Sequence, residues 1–143
     1  MHATIKFETR NPSDYSTLYS SVPSVAVEDG FDITHIAHQL KDTAAKYHFD
    51  CLAAIHIGFP MRVAYVKTFE LGETILINPT LVIGEGGERL STAEEVSAFG
   101  GNGKRKSRQF PVTIRDREGY HIYADRMGAH CVMHLLETMD GIW

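Results

Sequence analysis

Three residues near the end of the chain have side chains that could bind a divalent metal ion. They are His130, His134 and Glu137, at spacings of four and three residues. In an α-helix these spacings place all three side chains within about 60° on one face. Imidazole nitrogens and a carboxylate are ligands of Zn²⁺, so a metal site is compatible with the spacing. We favour a structural role, because buried histidines commonly bond to carbonyls or carboxylates and no Cys-x-x-Cys segment supplies further ligands.

The segment that carries these residues is apolar on nearly every side. Between residues 125 and 140 the apolar positions are Met127, Ala129, Cys131, Val132, Met133, Leu135, Leu136 and Met139. Gly141 follows and is a typical helix-ending residue. The pattern predicts a buried helix over about residues 125–140.

Upstream, the hydrophobic periodicity predicts one more helix and several antiparallel strands. An apolar stripe at helical spacing begins after Phe31, with Asp32 and Thr34 as candidate caps. Off this stripe lie His35, His38 and His48, for which we expect solvent exposure. Short β-type runs at 52–57, 62–68 and 74–78 predict strands, and 112–115 with 120–123 predict a hairpin around the turn 116–119. The glycine-rich stretch 84–103 predicts irregular structure.

Length and charge favour one domain with no nucleic-acid or membrane partner. The 143 residues have a net charge of −4, so residues 1–143 are expected to form a single domain without a basic footprint. Residues 1–30 are predicted to be a strand and loop segment, with Ile5 and Phe7 in a candidate edge strand. One basic cluster stands out; it is interpreted as a solvated loop and consists of Lys104, Arg105, Lys106 and Arg108.

The cysteine count and the start of the chain bear on location. Cys51 and Cys131 are the only cysteines, and the first residues lack the apolar core of a signal peptide. A reducing, cytoplasmic compartment is therefore expected.

Four stretches, in order, resemble the motifs of the peptide deformylase family. Their sequences are LAAIHIGFPMRVAYV, ETILINPTL, GGERLS and ADRMGAHCVMHLLETMDGIW. In that order they are similar to the first motif Gly-x-Gly-x-Ala-Ala-x-Gln, the Ile-Asn-Pro strand, the second motif Glu-Gly-Cys-Leu-Ser and the His-Glu-x-x-His helix. The resemblance covers about residues 31–143. It implies an α+β fold in which antiparallel sheets surround a central buried helix.

The resemblance also implies a site that has lost its chemistry. In the family the second-motif Cys and both third-motif His hold a divalent metal, and the third-motif Glu handles protons. Aligned on this chain, the first His is His134, while the second His falls on Thr138 and the Glu on Leu135. The Cys falls on Arg89, whose guanidinium cannot coordinate a cation. The first-motif Gln falls on His56.

Two further positions follow from the same alignment. The second glycine of the first motif falls on Cys51, which adds a side chain to the pocket. Glu137 falls where the family has an Asp that pairs with an Arg, and Arg108 lies at about the corresponding place. The resemblance therefore predicts an ion pair between Arg108 and Glu137.

The leading hypothesis is a pseudoenzyme that binds a protein partner or another copy of itself. It expects no catalytic residue, no metal and no cofactor, with Arg89 and His56 filling the old pocket. The short end after Gly141 is similar to deformylases encoded by phages, so a location in the host cytoplasm or virion is expected.

Two alternatives remain open at this stage. The first is an active metal-dependent peptide deformylase, an amide hydrolase that acts on formyl-methionyl peptides. It would hold Zn, Fe or Ni with His134 and with replacements among His56, His130 and Glu137. The second is a peptide-binding groove without chemistry, which would bind by strand addition to a sheet edge.

Overall fold

The computed structural model describes residues 9–82 and 88–143. Within those residues the helices are α1 (Ser16–Tyr19), α2 (Thr34–Tyr47) and α3 (Arg126–Met139), with 3₁₀ turns at Pro12–Tyr15 and Ala54–Ile57. The strands are β1 (Cys51–Ala53), β2 (Val63–Thr68), β3 (Gly72–Ile77), β4 (Thr80–Leu81), β5 (Arg89–Glu95), β6 (Lys104–Phe110), β7 (Val112–Asp116) and β8 (Gly119–Tyr123). The candidate edge strand with Ile5 and Phe7 and the start of the stretch 84–103 lie outside the described residues.

The strands form antiparallel sheets. Their orders are β1-β2-β3, β4-β7-β8 and β5-β6. The predicted hairpin 112–123 is confirmed as β7 and β8, and Asp116 fixes its position by accepting a hydrogen bond from the Ile77 backbone N–H at 3.0 Å. This bond joins the hairpin to the end of β3.

The sheet β1-β2-β3 lies between the two long helices. On one face, Leu52, Val63 and Tyr65 belong to the core cluster that contains Leu40 of α2. On the other face, Ala53, Ala64 and Val66 belong to the cluster that contains most of the apolar side of α3. Because both faces are covered, the strands consist of continuous apolar runs rather than alternating ones.

Helix α3 is the central element, and the sequence predicted its extent closely. It packs against β1, β2, β5, β6 and β8. At its start, the Asp125 carboxylate accepts the Gly128 N–H at 2.7 Å, which is an N-cap bond. After its end, Gly141 adopts the left-handed conformation with φ of 74°. The α+β fold with antiparallel sheets around a buried helix is therefore confirmed.

Helix α2 and its histidines also follow the sequence pattern. Asp32 accepts from the Thr34 N–H at 3.0 Å at the start of the helix. The side chains of His35, His38 and His48 are exposed, as predicted.

The prediction of a strand over 52–57 was wrong beyond Ala53. A 3₁₀ turn follows β1, because the His56 Nδ1 accepts the Ala53 backbone N–H at 3.0 Å and Gly58 ends the turn with φ of 91°. A side chain that bonds back to the main chain in this way competes with strand pairing.

The interpretation of the basic cluster as a loop was also wrong. Residues Lys104–Phe110 form β6, which pairs along its length with β5, so much of the stretch 84–103 is strand as well. Directly opposed residues share a face of a sheet, and Ser91 opposes Arg108 while Glu95 opposes Lys104. The strand contains no apolar alternation because its inner side chains form ion pairs.

Within residues 9–82 and 88–143, no helix has the length and apolar character needed to span a membrane.

Candidate metal and peptide site

The three polar residues of α3 face the β5-β6 hairpin, and each has its own surroundings there. His130 contacts Glu95 through its Nδ1 and Ser91 through its Nε2, the latter at 3.1 Å. Glu137 contacts Arg108 and Lys106. His134 lies between them in sequence and forms ring contacts instead. The predicted cluster therefore shares one face of the helix but divides into two polar contacts and one aromatic contact.

Arg108 joins the two carboxylates of this face. Its Nε and Nη2 donate to Glu95 at 3.0 and 2.8 Å, a two-point contact between planar groups. Its Nη1 contacts the Glu137 carboxylate, which confirms the predicted Arg108 to Glu137 ion pair. Lys106 lies 3.7 Å from the other Glu137 oxygen. Two positive and two negative side chains therefore balance one another in this network.

The pKa values in the network follow from these bonds. Burial alone would raise the pKa of Glu95, but hydrogen bonds from Arg108 and His130 hold that pKa below its ordinary value. Burial lowers the pKa of Arg108, and the bonds to Glu95 and Glu137 outweigh it, so the net shift is upward. Both groups are therefore charged at neutral pH.

His134 is buried against an aromatic ring. The Trp143 indole contacts its imidazole in an edge-to-face arrangement, with ring centroids 4.1 Å apart. Within the described part of the chain, His134 Nδ1 is buried without a hydrogen-bond partner. Burial is the main cause that lowers the pKa of His134 to about 4. The imidazole is therefore neutral at pH 7.

Two lysine side chains also lie near that indole. The Nζ atoms of Lys104 and Lys106 lie 5.0 and 5.4 Å from the centre of the Trp143 ring. Both distances are within the range of cation–π attraction. Trp143 therefore interacts with two ammonium groups of β6 and with the His134 imidazole.

His56 is the second buried imidazole of the site. It stacks on His134 with ring centroids 6.3 Å apart and meets Phe99 edge-on at 4.6 Å. Its Nδ1 accepts from the backbone, while its Nε2 is buried without a hydrogen-bond partner among residues 9–82 and 88–143. Burial, and then the proximity of His134, lower the pKa of His56 to about 3.

Three further residues to which the family resemblance pointed have different surroundings. Leu135 is buried in the apolar cluster of α3. The Thr138 hydroxyl donates to the His134 backbone carbonyl at 2.9 Å and is occupied within the helix. Arg89 is exposed on β5, which contradicts the expectation that it fills the old pocket. It starts the strand at the far end of the hairpin from Glu95, so its charge stays in solvent.

The donor side chains at the predicted ligand positions bear on metal binding. Of the three positions that the resemblance aligns with family ligands, only His134 has a nitrogen or sulfur that could bind a metal, because the others are Thr138 and Arg89. In the described ranges, no three His, Cys, Asp or Glu side chains are arranged to hold a metal ion. A protein Zn²⁺ site normally has three or four such ligands.

Beside this network a cavity of about 190 Å³ reaches α3. Its wall consists of Cys51, Ala93, Glu94, Glu95, Val96, Met127, His130, Cys131 and His134. Cys51 and Cys131 are free thiols on different elements, and both belong to this wall. The cavity is mainly apolar, with the polar groups at one side.

Sequence reasoning missed two residues that organise the site. Glu95 is the acceptor of both Arg108 and His130, and Trp143 covers His134. The burial of Ser91, Ala93 and Glu95 alternates with exposed neighbours along β5, but the residue types of this segment show no such alternation. No pattern pointed to Trp143, because its contact depends on the turn after α3.

The fold and site together define a deformylase-like α+β protein. The model of the polypeptide deformylase family matches residues 12–143. The chain belongs to the peptide deformylase family. No curated protein sequence matches it.

Several solved structures share the fold. A class I type b peptide deformylase from Acinetobacter baumannii is 17% identical with a TM-score of 0.74, and the match covers 98% of this chain and 97% of the other. A deformylase from the Vibrio parahaemolyticus bacteriophage VP16T is 15% identical with a TM-score of 0.75, covering 87% and 93%. A probable peptide deformylase from synechococcus phage S-SSM7 is 21% identical with a TM-score of 0.68, covering 97% and 96%. At these identities the likeness shows the fold alone.

Proposed function

We propose that this chain is a catalytically inactive member of the peptide deformylase family that works by binding a protein partner or a second copy of itself. The observation that carries the proposal is the buried and neutral environment of the His134 imidazole. This residue is the one aligned ligand position with a donor, and its ring packs against Trp143 in a buried, neutral form. The other two aligned ligand positions are Thr138 and Arg89, which offer no nitrogen or sulfur lone pair to a metal.

The loss of the proton-handling group supports the same conclusion. Leu135 occupies the aligned position of the family glutamate and is 1% exposed in the apolar core. General acid–base catalysis typically contributes about 10²- to 10⁴-fold to a rate, so its absence would leave a metal-bound water without its base.

The charge balance beside His134 is a further support. The carboxylates of Glu95 and Glu137 could attract a metal ion, but they are already paired with Arg108 and Lys106. Replacing those pairs with a metal would leave the Arg108 guanidinium buried without a partner, which is costly. The network therefore favours a structural role for these residues.

Apolar side chains on the surface support the binding role. We name as the turn patch the exposed residues Phe69, Leu71, Ile122 and Met127. They line two adjoining depressions that share Thr68, Asp125 and Gly128. Phe69 is 102% exposed. A contiguous apolar surface of this kind is typical of a protein-interaction site.

The activity part of the proposal is tested with the purified full chain. Metal content is measured by elemental analysis, and hydrolysis of formyl-Met-Ala-Ser is followed after addition of Ni²⁺, Zn²⁺ or Fe²⁺. We expect far less than one metal per chain and no turnover. Near-stoichiometric metal together with turnover that disappears in His134→Ala would overturn the proposal. The variant His35→Ala, on the exposed face of α2, is the matched control.

The binding part is tested with the turn patch. Light scattering measures self-association, and affinity capture from the native host or virion measures a partner at fixed stoichiometry. Phe69→Ser and Met127→Ser should each weaken the interaction at least tenfold, whereas Leu18→Ser, which removes an exposed apolar side chain elsewhere, should not. Equal binding by all three variants would contradict the role of the turn patch.

One observation favours an active enzyme as the second candidate. His56 Nε2 and His134 Nδ1 are both buried without hydrogen-bond partners among the described residues, and their rings stack 6.3 Å apart. Two neutral imidazoles with unused nitrogens could share a metal after a small movement, with His130 or Glu137 adding a ligand. In the same assay, His56→Gln would then abolish metal uptake and turnover, and under the leading proposal it would change neither.

A further inference from the structure

Two thiols from distant parts of the chain meet in the wall of the 190 Å³ cavity. Cys51 begins β1, and Cys131 lies in the middle of α3. Both pack against the α3 core cluster and both are half-buried, so their sulfur atoms are reachable from the cavity. They are the only cysteines in the sequence.

The two thiols are not equivalent. The interaction between the two thiols is the main cause that raises the pKa of Cys51 and lowers that of Cys131. Cys131 also lines a second cavity of about 210 Å³, on the side of Phe69 and Met127. Cys131 is therefore accessible from two cavities and is the thiol that is more easily ionised.

We propose that Cys51 and Cys131 form a reversible disulfide by exchange with a low-molecular-weight disulfide, which makes this cavity wall a thiol–disulfide site. The geometry carries the inference: two elements that pack against each other each place one cysteine in the wall of the same cavity. Neither the aligned metal positions nor the turn patch is required for it.

The exchange proceeds in two balanced steps. The Cys131 thiolate attacks one sulfur of the small disulfide, whose S–S bond breaks, and the leaving thiolate takes up a proton; a mixed disulfide remains on Cys131. Cys51 then loses its proton and attacks the Cys131 sulfur, which releases the second small thiol. The protein loses two electrons and two protons, and one small disulfide becomes two thiols.

The product would change the cavity itself. A disulfide fixes the separation and torsion of the two sulfurs. It would join β1 to α3 beside His130 and His134, which line the same wall. The oxidised and reduced forms would therefore offer differently shaped cavities to a ligand.

The test is equilibration of the native full chain with mixtures of reduced and oxidised glutathione, followed by acid quenching and mass spectrometry. We expect a species lighter by two hydrogens, with a linked peptide that joins Cys51 to Cys131. Its equilibrium constant in the folded chain should exceed that in guanidinium by about tenfold or more, because the fold holds the sulfurs together. Equal constants in the two conditions would overturn the proposal.

Single variants distinguish Cys131, which attacks the small disulfide, from Cys51, which resolves the mixed disulfide. In Cys51→Ser the first step still occurs, so the glutathione adduct should accumulate on Cys131. In Cys131→Ser the adduct on Cys51 should form more slowly, because Cys51 lines one of the two cavities that Cys131 lines. Disulfide-linked dimers as the main product of the unmutated chain would contradict the proposed intramolecular pair.

Discussion

Arg108 and Glu95 form a two-point ion pair between adjacent strands, with Nε and Nη2 of the guanidinium 3.0 and 2.8 Å from the two carboxylate oxygens. The side chains are 9% and 5% exposed. The pair stands where β5 and β6 meet α3, so it joins the hairpin to the central helix through Glu137 and His130.

Removal of this guanidinium should destabilise the protein strongly. Arg108→Met leaves Glu95 and Glu137 without their main partner, and breaking a buried pair costs about 3–5 kcal/mol of unfolding free energy. Urea denaturation measures the change. The matched control is Arg62→Met, because the Arg62 to Asp140 pair is more exposed and should contribute less than about 1 kcal/mol. Equal losses in the two variants would contradict the structural role of Arg108.

Stability should fall as pH decreases from 7 towards 4. The pKa values of His56 and His134 are about 3 and about 4 in the folded chain, against 6.5 ordinarily. Between those values the unfolded chain binds protons that the folded chain excludes, so each histidine removes about 1.4 kcal/mol of stability per pH unit below 6.5. The stabilising contribution is complete above pH 6.5.

Denaturation at pH 7, 6 and 5 tests this dependence. In His56→Gln the slope of stability against pH should be smaller by about one proton. Identical slopes in the original chain and His56→Gln would show that His56 is not buried in its neutral form.

A side chain at Gly141 should disrupt the end of α3. Gly141 has φ of 74°, and an added Cβ would lie 2.9 Å from the Pro23 backbone nitrogen. Gly100 also has positive φ, at 97°, but its Cβ would meet nothing within 4 Å. Alanine at either position should lower the free energy of unfolding by about 1–2 kcal/mol, because a residue with a Cβ is strained in the left-handed conformation. Gly141→Ala should cost at least about 1 kcal/mol more, since crowding adds to it. Thermal denaturation of the two variants makes the comparison.

The elements that are held together by apolar packing could be predicted from the sequence. Helix α3 and the hairpin β7-β8 show the helical and alternating periods that burial of one face requires. The Arg108 to Glu137 pair also followed, although only through the family resemblance. These features depend on residue types that the sequence displays directly.

The β5-β6 hairpin could not be predicted in the same way. Its inner face consists of polar and small residues such as Arg108, Lys106 and Ala93, and their burial depends on partners in α3 that are distant in sequence. A charged strand has the composition of a solvated loop until those partners are known. The same limit applies to the thiol pair, because nothing near Cys51 indicates that Cys131 faces it.

Trp143 is the only tryptophan in the chain, and its ring contacts His134 and two lysine ammonium groups. Its fluorescence therefore comes from this one location. Indole emission is sensitive to nearby charge, and a protonated imidazole quenches it. The emission wavelength or intensity should change when a ligand enters the pocket, when a metal binds His134 or when a lysine is displaced. Trp143 is therefore an intrinsic fluorescent probe of this site.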